Sequence, residues 1–462
     1  MDAPGPNLPP KVGLAVLGFS KTREWVYPQS IEGKFTTIRR WTFLALHLIL
    51  FAAPWVMING YPAILIDIPA RRFYHFGQIF TPSDNLILLL ILWFLAFSLF
   101  FFTAIFGRIW CGYACPQTVF LESWIRPIEL WIEGDRLTRK RRDAKGWTFD
   151  RAWRKAVKWL LFLAVSVFLA MAMMSIFAGA RELWTGRAGP VEYSLTAIIA
   201  LFWFWDFTWF REQFCSYLCP YARFQSALAD DESLIITYDT RRGEPREAGK
   251  KAAQDGRCID CDKCVVVCPQ GIDIRDGFQL ECIQCACCID ACESVMSKLG
   301  HRTLVAYGSI AEEQGRTPRR WRPRTFVYGS LLLAIIVAAG VLIARRVPFE
   351  ASVNRAPGSL FTVDPDGSTR NTFLLQIINK DPSKTPVRFE IGVSGLEDAE
   401  VLVSPIEIPS TESRTIPLIV RVPPRSELGR TTPFEVSVRA GEDEVLLHAT
   451  FKTGAEIGES GP

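Results

Sequence analysis

The chain has 462 residues, 49% of them hydrophobic, with a formal net charge of +4 and 13 cysteines. That length admits two or three domains, and so weak a charge argues against nucleic acid or another polyanion as a partner. Every cysteine lies between Cys111 and Cys292, a clustering that argues against a disulfide-stapled secreted domain and for metal ligation.

No cleavable signal peptide is expected, because the one early apolar stretch, Val12 to Phe19, is short and follows prolines and Lys11. Residues 1–40 read as a cytoplasmic N-terminal segment and 41–226 as a four-helix transmembrane core. Its spans are expected at Trp41–Ile58, Leu86–Phe106, Trp159–Ala178 and Tyr193–Phe210, with a fifth helix over 326–346 built on Phe326–Ala344. Each approaches the roughly 20 apolar residues that a bilayer crossing needs. Basic residues gather before the first span (Lys11, Lys21, Arg23, Lys34, Arg39, Arg40), between the second and third (Arg139 to Arg142, Lys145) and before the fifth (Arg316, Arg319, Arg320, Arg322, Arg324). Positive residues stay inside, so the N-terminus is expected in the cytoplasm and the C-terminal region in the periplasm of a bacterial inner membrane, although Arg345 and Arg346 run against this.

The second and fourth spans end in related strings: Arg108-Ile-Trp-Cys111-Gly-Tyr113-Ala-Cys115-Pro116 and Arg211-Glu-Gln-Phe-Cys215-Ser-Tyr217-Leu-Cys219-Pro220. Phe120 and Phe224 follow at matching offsets, as do Ser123 and Ser226. Cysteines four apart on a helix share a face, with Cβ atoms roughly 5–6 Å apart. Two packed spans would bring four thiolates together, a soft site suited to Cu(I), zinc or iron–sulfur. Buried structural cysteines, or a disulfide disfavoured by the reducing cytoplasm, are the competing readings. Arg108 and Arg211 are expected to lower these thiol pKa values. Asp206, inside the fourth span, could hold a cation or proton in transit or simply pair with Arg211. His47 reads as a ligand to metal or quinone, or as a hydrogen-bonded core histidine.

Residues 227–325 carry the strongest signal: Cys258, Cys261, Cys264, Cys268-Pro269, then Cys282, Cys285, Cys288, Cys292, each run in a 2-2-3 rhythm. In two-cluster ferredoxins the fourth cysteine of each run ligates the other cluster. Cys258, Cys261, Cys264 and Cys292 are therefore assigned to one 4Fe–4S cluster, and Cys282, Cys285, Cys288 and Cys268 to the second. Zinc sites use paired cysteines without this rhythm. Glu293 stands where a second proline would be, and Cys287 is surplus and read as a packed thiol.

Residues 347–462 alternate apolar and polar positions in about seven short runs, as expected for an immunoglobulin-like β-sandwich that docks partners or caps the protein. The fold class is thus a multi-domain membrane protein: an α-helical bundle of five transmembrane helices, an inserted two-cluster ferredoxin-like α+β domain and a C-terminal all-β sandwich.

The chain resembles the CcoG/FixG/RdxA family of cytochrome c oxidase accessory proteins. The resemblance is carried by Tyr27-Pro28, Gly33-Lys34-Phe35, Pro54-Trp55, Asn59-Gly60, the run Phe106 to Tyr113, the string Cys115-Pro116-Gln117-Thr118-Val119-Phe120 and the ferredoxin runs. It implies a role in assembly of a cbb(3)-type haem–copper oxidase as a copper reductase. It also implies copper at Cys111, Cys115, Cys215 and Cys219, and copper-delivery and oxidase-assembly proteins as partners. A cytoplasmic electron donor and membrane lipid complete the expected partners, and a homo-oligomer is left open. A quinol-linked electron relay and a non-catalytic assembly scaffold are the alternatives.

Overall fold

The computed structural model describes residues 25–453 apart from 229, 320–321, 382–384, 404 and 425–427. Val12 to Phe19, Lys11, Lys21, Arg23 and Arg320 lie outside the described residues. The chain forms two compact units, one of residues up to Ala53 with Leu90–Ile336, the other of Pro54–Leu89 with Val337 onward. Segment 54–89, grouped by sequence with the 41–226 core, thus belongs with the C-terminal domain.

In the first unit, helix Lys34–Ala52 begins at Gly33, and its first amides are satisfied from a distance. Asp290 accepts from the Phe35 and Thr36 amides at 3.1 and 2.7 Å, placing a carboxylate at a helix N-terminus. The expected span Trp41–Ile58 is corrected here. The helix stops at Ala52, Pro54 sits in a short turn, and Met57–Ile58 pairs with Tyr61–Pro62 in a hairpin. Asn59 and Gly60 both have positive φ, the conformation that Asn-Gly hairpin turns demand. Four described helices are long and apolar enough to cross a membrane: Asn85–Phe106, Phe149–Ala178, Pro190–Phe210 and Pro323–Ala344. Thr148 caps the second of these, accepting from the Arg151 amide, so it starts ten residues before the expected Trp159 and carries Arg154, Lys155 and Lys158 on its first turns.

The inserted domain pairs strands Ile235–Tyr238 and Val305–Gly308 antiparallel and carries helices Lys263–Val266 and Cys287–Met296. Its two cysteine loops share one backbone path. Asp260 and Asp262 in the first, and Gln284 and Ala286 in the second, hold positive φ at the same offsets from Cys258 and Cys282. Such conformations cost non-glycine residues energy and persist where the surroundings require them.

In the C-terminal part of the second unit, the described residues between Phe349 and Lys452 form nine strands in two sheets, rather than about seven strands. Thr369–Asn379 lies between Phe349–Arg355 and Ser413–Val422, and Val387–Ser394 pairs with Thr431–Ala440. Burial alternates along Thr369–Asn379, so Phe373, Leu375 and Ile377 face Phe389, Phe434, Val436 and Phe451 in one core. Segment 54–89 is tied to this domain through Asp84, which accepts from Arg346 at 2.8 Å and from Lys380 at 3.2 Å.

Candidate functional site

The two cysteine runs of the inserted domain line two adjoining cavities. Cys258, Cys261, Cys264 and Cys292 surround one, with Tyr238, Met296 and Leu304. Cys268, Cys282, Cys285 and Cys288 surround the other, among Ile236, Ile272, Ile274 and Ile283, and Cys264 reaches this wall too. Both donor sets are four thiols in an apolar shell, the chemistry a 4Fe–4S cluster requires. Burial pushes Cys264 and Cys282 up to about 12 and Cys268 up to about 11, so these thiols stay protonated until a metal displaces the proton. Cys287 lines neither cavity. It is buried and accepts from Arg39 Nη1 at 3.0 Å, a packed position.

The repeated cysteine pairs come together in the same unit. Neither pair lies on a continuous α-helix, which corrects the helical-face expectation. Cys111 sits in helix Ile109–Tyr113, whereas Cys115 precedes Pro116 at the start of the next helix. Cys215 sits in a π-turn, Phe214–Leu218, and Cys219 precedes Pro220. Both motifs close with the same bond five residues back: the Cys115 amide to Trp110 O and the Cys219 amide to Phe214 O, each 2.9 Å. The thiols lie close enough to act on one another. Burial and then Cys115, Cys111 and Cys219 raise Cys215, and burial pushes Cys111 up to about 11 against the pull of Arg108. The expected lowering by arginine is therefore reversed: desolvation outweighs Arg108, and Arg211 is committed elsewhere. Among the described residues no three His, Cys, Asp or Glu side chains, these and the cluster cysteines included, close to the spacing of a single-ion site.

Three residues that the sequence did not single out position these thiols. Gln225 accepts from the Cys111 thiol at 3.0 Å. Gln117 donates to Asp206 Oδ2 at 2.6 Å and to Arg211 O at 3.1 Å, joining the first motif to the second. Glu129, fully buried, accepts from Arg211 Nη1 and Nη2 at 2.7 and 3.0 Å and from Arg139 at 2.9 Å. Asp206 is thus partnered by Gln117, not by the Arg211 guanidinium, and its Oδ1 is buried without a partner among the described residues. His47 is hydrogen-bonded at both ring nitrogens, to Phe43 O at 2.7 Å and Trp124 Nε1 at 2.8 Å, as in a core histidine. A carboxylate inside the amphipathic run Ile128 to Glu133 was the one readable hint of Glu129.

The thiol loop presses on the second cluster loop. A Cβ on Gly112 would lie 2.6 Å from Ile283 O and 2.8 Å from Cys285 Cα. Only glycine lets the two backbones meet at this distance. Cys111 packs in one apolar cluster with Ile283, Cys285, Cys287 and Val267, and Arg39 Nε binds Gly112 O at 3.0 Å. The loop that carries Cys111 and Cys115 therefore borders, through one glycine, the loop that carries Cys282 and Cys285.

Comparison with known proteins bears on each part. A 4Fe–4S dicluster domain family matches residues 210–310, a 4Fe–4S binding domain family matches 86–139, and the IG-like fold at the C-terminal of FixG matches 339–453. Protein RdxA of Cereibacter sphaeroides is 37% identical over 391 residues, covering 80% of this chain and 82% of that protein. Nitrogen fixation protein FixG of Rhizobium meliloti is 35% identical, covering 83% of this chain and 81% of its own. Protein RdxB of Cereibacter sphaeroides is 36% identical, covering 85% and 88%.

Proposed function

The chain belongs to the FixG/RdxA family of membrane iron–sulfur electron-transfer proteins, and from that premise we propose that it reduces Cu(II) to Cu(I) at Cys111, Cys115, Cys215 and Cys219 during assembly of a haem–copper cytochrome c oxidase. The observation that carries this reading is the contact of Gly112 with the Ile283–Cys285 backbone, which sets the Cys111–Cys115 loop beside the second cluster loop.

Cys258, Cys261, Cys264 and Cys292 would hold one 4Fe–4S cluster, and Cys268, Cys282, Cys285 and Cys288 the other. When bound, such clusters exchange single electrons, matching the one-electron step Cu(II) + e⁻ → Cu(I). The chain's own residues do the rest. Soft thiolates favour Cu(I) over Cu(II), so the ligand set itself draws the ion toward its reduced form. Burial of Cys111 and Cys215 keeps water from the site. Gln225 Oε1 holds the Cys111 thiol proton until the metal displaces it. Gln117 and the Glu129–Arg211 pair fix the second motif against the first.

The distribution of basic residues supports a cytoplasmic inserted domain. Segment 54–89 and the C-terminal sandwich form one unit, which supports placing both in the periplasm of a bacterial inner membrane. This requires helix Lys34–Ala52 with the following turn to complete a fifth crossing. An electron donor would act from the cytoplasm, and copper-delivery and assembly proteins would dock on the sandwich. The test is a double variant, Cys111→Ser with Cys215→Ser, in the full chain. It should lose copper while keeping cluster absorption. Retained stoichiometric copper would overturn the reading.

A further inference from the structure

A large cavity of the first unit has no part in the thiol or cluster sites. It encloses about 780 Å³, within the range of small-molecule pockets. One wall is helix Lys34–Ala52 and another is the π-turn Leu121–Ile125, an interruption that recurs at functional sites. Its ends differ in chemistry. Leu44 and Leu48 lie on the open side, 48% and 60% exposed, on a helix face that also exposes Trp41 and Ile49 and so suits lipid.

The closed side is polar and abuts the cluster loops. Val267, Pro269 and Cys287 line it, and these follow or precede the ligands Cys268 and Cys288 by one residue. Arg39, only 3% exposed, spends Nε on Gly112 O and Nη1 on Cys287 Sγ, but its Nη2 is buried without a partner among the described residues. Arg126 likewise donates Nη2 to Pro269 O at 3.2 Å and pairs with Glu122, while its Nη1 is buried without a partner. Unmet guanidinium donors inside a protein cost free energy, and a bound acceptor removes that cost.

We propose that this cavity binds the ring of a lipid-dissolved quinone or quinol, with Arg39 and Arg126 donating to ring oxygens and the tail leaving past Leu44 and Leu48. The ligand must carry acceptor oxygens at its inner end and an apolar chain at its outer end. Arg40 and Arg136 also line the cavity, so an anionic lipid is the competing occupant, and the experiment separates the two. Trp124, anchored by His47, forms part of the wall beside the ring.

The experiment uses the full chain in nanodiscs and a photoreactive azidoquinone, with decylubiquinone as competitor. Cross-links should map to residues 36–51 and 121–139 and disappear with competitor. Leu48→Trp narrows the mouth at an exposed position and should weaken decylubiquinone binding at least tenfold, with cluster absorption unchanged as the control for folding. Labelling spread over all lipid-facing helices, insensitive to competitor, would overturn the proposal. So would displacement of the probe by phosphatidylglycerol at equal concentration, which would make the cavity an anionic-lipid site. The readout needs neither copper nor turnover, so its failure leaves the copper reading standing.

Discussion

Replacing Gly112 by alanine tests the contact between the thiol loop and the second cluster loop. The added methyl would meet Ile283 O at 2.6 Å, Cys285 Cα at 2.8 Å and Cys285 N at 2.9 Å. All three are backbone atoms, so no flexible side chain can move aside. Ordinary contact begins near 3.4 Å, and one loop must therefore retreat by about 0.5–0.8 Å. Overpacking of this kind costs about 1–3 kcal/mol. At roughly 2–4 °C per kcal/mol for a domain of this size, the midpoint of thermal unfolding should fall by several degrees, read from tryptophan fluorescence in detergent. Iron content should stay at the wild-type level, since no ligand is lost, while Cu(I) formation after cluster reduction should slow. Gly340→Ala, where a Cβ meets nothing within 4 Å, is the matched control and should leave both unchanged. A Gly112→Ala protein with wild-type midpoint and wild-type rate would refute the argument.

Glu129→Gln removes the carboxylate that faces Arg211, Arg139 and Lys158, and breaking a buried ion network this way costs about 3–5 kcal/mol, measurable as lost yield and a lower unfolding midpoint. Burial acts to raise the Glu129 pKa, but Arg211, Arg139 and Lys158 outweigh it and hold the carboxyl down at about 2. Because the folded value lies below the unfolded one, this contribution is complete above the ordinary glutamate range and declines as pH falls toward 2. The unfolding midpoint should thus lose nothing from this group between pH 8 and 5, and begin to drop below about 4. Cys287→Ala should keep the full iron content and cluster absorption, whereas Cys288→Ala should lose part of both.

Much of the site was legible because its chemistry is written in spacing. The 2-2-3 cysteine rhythm marked the eight cysteines that line two adjoining cavities, with Cys292 beside the first run, Cys268 beside the second and Cys264 on both walls. The repeated Cys-x3-Cys-Pro string located both pairs, and the alternation of Thr369–Asn379 marked the sandwich. What escaped depends on tertiary contacts or local breaks. The apolar run to Ile58 hid a proline stop and an Asn-Gly hairpin, so the first span was drawn too far. Proline after each second cysteine broke the helix on which a shared face was assumed. The effect of Arg108 was judged from adjacency, while burial decides the outcome. The need for glycine at 112 comes from residues 283–285, far along the chain, and Asp290 caps a helix some 250 residues before it; neither relation leaves a local trace.

Metal analysis of the purified full-length protein and of its Cys111→Ser/Cys215→Ser variant tests the central claim most directly. Bound copper should be present in the first and absent from the second, with iron equal in both. Copper retained by the variant, or iron lost along with it, would contradict a four-thiol copper site standing apart from the two clusters.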